Sequence, residues 1–103
     1  MKMNYQETVA TLKGLFPGHD EKTLTYAIQR LDEQVKRARD FHKVSQSRWF
    51  QLGNSFKVVA EFVKWLNKQR FYGVHTPSSL EEDFTMDSPL FNRFLEETGV
   101  ELY

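Results

Sequence analysis

The side chains here that could make or break bonds are three histidines, a run of three carboxylates and a scatter of serines. His19, His42 and His75 could supply imidazole to a metal or to proton transfer, but none has a His or Asp partner at ligand spacing on one helical face. Zinc would also want a carboxylate or carbonyl behind each imidazole to orient it. No cysteine occurs, so disulfides, thiolate nucleophiles and Cys-based zinc sites are excluded together. Glu81-Glu82-Asp83 is the densest acidic run. Neighbouring helical residues point apart, so these carboxylates would not share a proton as a catalytic pair does. Acids in the first turn of a helix have a structural account in the helix dipole. Ser45, Ser47, Ser55, Ser78 and Ser79 lie in turn-like contexts without a G-x-S-x-G surround, and neither phosphate-loop glycine pattern is present. The expectation is a chain without catalytic residues, metal or cofactor.

A second constellation is cationic. The stretch RARDFHKVSQSRWFQLGNSFK, residues 37–57, sets five bases against one acid, with Phe41, Trp49, Phe50 and Phe56 interleaved. The whole chain has 14 basic and 14 acidic residues, so no global attraction to nucleic acid or anionic membrane follows. The charge is segregated all the same. Residues 36–70 carry nine bases and two acids, a net of +7, and residues 71–103 carry one base and seven acids, a net of −6. Asp32 and Glu33 stand four residues before Lys36 and Arg37, the favourable orientation for pairs within a helix. Arg39, Lys43, Arg48, Lys57, Lys64, Lys68 and Arg70 have no such local account. Phe50, Phe71 and Tyr72 fall off the apolar seam of their segment, so they are where exposed aromatics are expected, as anchors for a partner. These ten residues are the candidate partner-binding set.

The elements that must position these residues read as helices. Asn4, with Glu7 three residues on, is a capping box for a helix over about 5–15, in which Tyr5, Val9, Leu12 and Phe16 share a face before Pro17-Gly18 ends it. Asp20 can cap a second helix, about 21–43, with an unbroken seam of Leu24, Ile28, Leu31, Val35, Ala38 and His42. A third ends near 70 and begins between 47 and 55, since Gly53-Asn54-Ser55 fits either a turn or a continuing helix. Its apolar arc takes in Val58, Ala60, Phe62 and Trp65, which leaves Lys57, Glu61, Lys64, Asn67 and Lys68 as the only polar strip. This helix is expected at the centre. Ser78 and Glu81 suggest a capping box for a short helix near 79–84. Ser88 before Pro89 reads as the cap of a last helix, which carries Leu90, Phe91, Phe94 and Leu95 on one side and stops at Gly99. The fold class is all-α: one domain over 1–103, a compact bundle of three main helices plus one or two short C-terminal ones.

Within that frame Leu52, Gly53, Ser55, Val59 and Phe62 approximate helix-turn-helix spacing. Trp49 would stand where the first helix needs a small residue, and the recognition helix would offer bases mainly Phe, Val, Ala and Trp. Trp49, Phe50 and Phe56 are better explained by core or turn packing. The turn Leu15-Phe16-Pro17 resembles the start of ubiquitin-binding helical domains. The resemblance stops there, because the later Gly-Asp and di-leucine signals are absent and the following helix is too long.

Recognition is what remains. The expectation is a small non-enzymatic interaction protein, an adaptor, regulator or inhibitor, binding another protein through the basic strip and exposed aromatics. Nucleic acid gripped by the 36–70 region is the alternative, and self-association through the second helix's seam is a further expectation. The N-terminus lacks a signal-peptide apolar run, and no segment approaches the roughly 20 apolar residues that span a bilayer, so a cytoplasmic protein without membrane contact is expected.

Overall fold

The computed structural model describes residues 4–42, 55–73 and 79–99, with side-chain surroundings given for 4–38, 56–73 and 79–99. Among these residues there are five helices and no strand: α1 (Tyr5–Leu15), α2 (Glu21–His42), α3 (Ser55–Tyr72), α4 (Leu80–Asp83) and α5 (Pro89–Thr98). The three long helices pack on one another, and α5 closes against α3.

Local chemistry sets most of the helix ends. The Glu7 amide donates to Asn4 Oδ1 at 2.8 Å, and the Asn4 amide donates to Glu7 Oε1 at 3.4 Å, so the expected capping box is formed. In α2 the Thr23 amide donates to Asp20 Oδ1 at 2.8 Å. At α5, Ser88 Oγ accepts the Phe91 amide at 3.0 Å, with Pro89 in the first turn, where its missing N–H costs nothing. Gly99 ends α5 in the left-handed region at φ 72°, a conformation that glycine adopts without a Cβ penalty.

Helix α3 is the hub. Val58, Val59, Phe62, Val63 and Leu66 are fully buried, and Ala60 and Trp65 nearly so. One flank receives Val9, Leu12 and Leu15 of α1 and Phe16 just past its end, together with Leu24, Ala27, Ile28, Leu31 and Val35 of α2. On the C-terminal side the Phe62 ring lies 5.4 Å from Phe84, 5.0 Å from Phe91 and 5.3 Å from Phe94, centroid to centroid. The Phe62–Phe91 pair is edge-to-face, the geometry that the ring quadrupole favours.

Several expectations need correction. The short helix is capped by Ser79 rather than Ser78: Ser79 Oγ accepts the Glu82 amide and Asp83 Oδ2 accepts the Ser79 amide at 3.0 Å. That register lets Leu80 and Phe84, four residues apart, both reach the core. Tyr5 sits on the rim rather than in the seam, 40% exposed and stacked on Phe56 at 5.6 Å. Its place in α1 is taken inside by Thr8, whose hydroxyl donates to the Asn4 carbonyl at 2.8 Å and so can be buried without an unmet polar group. The seam of α2 from Leu24 to Val35 is buried in the chain's own core, so it offers no free stripe to a second copy. The described part of α3 begins at Ser55 and runs two residues beyond the expected end near 70. The choice between a start near 47 and one near 55, with Trp49 and Leu52, falls on residues outside those described.

Two polar side chains of α2 fasten the C-terminal segment. Arg30 Nη2 donates to the carbonyls of Phe84 at 3.0 Å and Glu81 at 3.3 Å, which would otherwise be open at the end of α4. Gln34 Oε1 accepts from the Met86 amide and the Thr85 hydroxyl, both at 3.1 Å. Arg30 Nε is buried without a partner.

Candidate interaction surface

The polar strip of α3 lies as its spacing implies. Glu61 and Lys68 are exposed, and Lys57 and Lys64 are half-buried along the same edge. At 100° per residue Phe71 and Tyr72 continue this edge rather than the buried arc. They are the most outward aromatics of α3, 84% and 65% exposed, and meet each other edge-to-face at 5.4 Å. Lys64, Lys68, Phe71 and Tyr72 line one shallow groove of about 340 Å³, together with Asn67 and with Thr11 of α1. Four of the ten candidate residues therefore converge on one place.

The other candidates divide. Lys57 lies on the same helix edge, two turns before Lys64. Arg70 points elsewhere: its guanidinium donates to the Gly14 carbonyl in the last turn of α1, so it is a tie between helices. Arg cations at a helix C-terminus satisfy open carbonyls and complement the dipole. Lys43, Arg48 and Phe50 lie outside the described residues, as does the side chain of Arg39.

Lys64 Nζ stands 3.7 Å from Glu61 Oε1, both side chains being wet. The pairs Glu33–Arg37 at 3.2 Å and Arg93–Glu97 at 2.9 Å are likewise within single helices and exposed. Such pairs contribute little to stability, about 0–1 kcal/mol, and are easily exchanged for another partner. Among the described residues no group of three His, Asp or Glu side chains comes together as a metal site would need. His19 packs edge-on against Phe16, ring centroids 6.3 Å apart. Asp83 is held in the α4 cap, which gives one member of the carboxylate run a structural role. Asp20 has its carboxyl held below the ordinary range, first by the hydrogen bonds from the Thr23 side chain and backbone and then by Lys22 and Lys13.

Sequence reasoning missed Thr11, because a polar residue on α1 carries no sign that it will face the end of α3. It also missed Tyr26, 65% exposed on α2, beside a second open depression with Arg30 and Arg37. The available signal was its place off the α2 seam. No described helix is long and apolar enough to cross a membrane. No protein-family model matches this chain, and comparison with curated proteins and with solved structures finds no match either.

Proposed function

We propose that this is a non-enzymatic helical interaction protein, of the adaptor, regulator or inhibitor kind, that docks a protein partner on the α1–α3 groove. The supporting observation is the convergence of two lysines and two outward aromatics on one groove, at the end of a helix whose apolar arc from Val58 to Leu66 is buried in the core. Folding gains nothing from leaving Phe71 84% exposed. At interfaces, however, an aromatic is the usual energetic anchor, with cations at its rim setting orientation and encounter rate. A cysteine-free chain suits the reducing cytoplasm, where we expect the encounter.

Affinity capture from the native cell, comparing wild type with a Phe71→Ala/Tyr72→Ala variant and repeated with nuclease, tests this reading. Proteins retained by wild type, lost by the variant and indifferent to nuclease are expected. An identical set on both baits would refute docking at the groove. A nucleic-acid-binding reading stands second, since exposed aromatics beside lysines are also what single strands stack on. It predicts a gel shift at low salt that Lys64→Glu/Lys68→Glu abolishes.

A further inference from the structure

The groove has a spacing as well as a charge. Lys64 and Lys68 are one helical turn apart, a rise of about 6 Å, and Phe71 follows about 4.5 Å further along the axis. In an extended chain, side chains on one face recur every second residue, about 6.6 Å apart. Two carboxylates at alternate positions of an extended segment therefore match the two lysines. The next side chain on that face arrives at Phe71 and Tyr72, whose rings offer an apolar floor.

Resting on the docking reading above, we infer that the groove takes an extended acidic segment of a partner protein, of the pattern acid-x-acid-x-apolar, laid along α3. Charge complementarity selects the acids. The Glu61–Lys64 contact, 3.7 Å between partly exposed side chains, is of the weak surface kind with which an incoming carboxylate competes. Length selects the extended form. A five-residue motif is far shorter than the roughly 12–15 residues an isolated helix needs, so it meets the groove as extended chain. Duplex nucleic acid fits less well, since such binding draws on about 6–10 phosphate contacts and, among the described residues, two lysines line this groove.

The test is fluorescence anisotropy at low salt with a labelled peptide containing Glu-Gly-Glu-Gly-Phe. Parallel probes are a Gln-for-Glu version, a version with the two acids adjacent, and a short oligothymidine. The alternating acidic peptide is expected to bind, and the Gln version to bind about tenfold more weakly. Lys64→Glu/Lys68→Glu should weaken the acidic peptide by about tenfold or more, and Phe71→Ser by several-fold. Phe71→Ser reads the aromatic contribution without disturbing the fold, since that ring contributes little to the core. Equal binding of the Gln peptide, or of the peptide with adjacent acids, overturns the acidic extended motif. So does a failure of every peptide to bind. In each case the docking reading survives if capture still depends on Phe71 and Tyr72. Binding of oligothymidine alone, with capture lost to nuclease, overturns both.

Discussion

Replacing Phe62 by leucine tests whether the C-terminal helices are held by aromatic packing on α3. Phe62 is fully buried, and its ring approaches those of Phe84, Phe91 and Phe94 within 5.4 Å and that of Trp65 at 6.2 Å. Truncating a buried Phe to Ala costs about 3–5 kcal/mol, whereas volume-conserving apolar swaps cost less than about 1.5 kcal/mol. Leucine lies between these limits, because it keeps the apolar contact but loses the edge-to-face and tilted ring pairs. Each such pair contributes about 0.5–1.5 kcal/mol, and pairs sharing one ring do not add. The expected loss is about 2 kcal/mol, or about 8–16 °C in Tm for a domain of this size. Urea and thermal unfolding followed by far-UV circular dichroism measure it. Phe71→Leu, at a ring 84% exposed, serves as the reference and should stay within about 0.5 kcal/mol of wild type. If Phe62→Leu proves no more costly than Phe71→Leu, α3 is not the hub and the C-terminal helices are held by something else.

Arg30→Met should cost about 1–2 kcal/mol by opening the Glu81 and Phe84 carbonyls. Hydrogen exchange should show protection lost over residues 80–95 before α1, and uniform loss would contradict the local tie. Ser88→Ala should cost about 1–2 kcal/mol, because the Phe91 amide it caps is buried; denaturant titration reads this, and a change under a few tenths would remove the cap's role. For Asp20 the folded carboxyl titrates below its ordinary value of 3.8, so its contribution is complete above that pH and falls away as acid takes the pH through the lower folded value. Asp20→Asn keeps a capping oxygen without the titration, so the variant's Tm should decline less than wild type's on acidification. Parallel declines would show that the Thr23 hydrogen bonds do not favour the charged form.

The parts of the fold legible in advance are those written within a few residues. Asn4 with Glu7, Asp20, Ser88 with Pro89, and Gly99 each declare a helix end through bonds that reach three or four positions. The α2 seam and the broad apolar arc of α3 follow from helical periodicity alone. Of the groove, Lys64, Lys68, Phe71 and Tyr72 were legible as a leftover polar strip and two off-seam aromatics. Their meeting with Thr11 was not. Arg70 shows the opposite failure: as a cation it counted toward the strip, yet its length lets it reach back to Gly14 on α1. Ser78 and Ser79 are equally good caps by type, and only the need to bury Leu80 and Phe84 together chooses between them.

Sequence by itself determined that this chain is a bundle of helices with α3 at its centre, because helix period and capping are local and the apolar arc of residues 56–66 leaves no other place to hide. Tertiary structure alone decided which α2 side chains clasp the C-terminal segment and which cations stay on the surface. Arg30 and Gln34 act on residues about fifty positions away. Partners that distant are chosen by how the helices stack in space, and no local pattern records that choice.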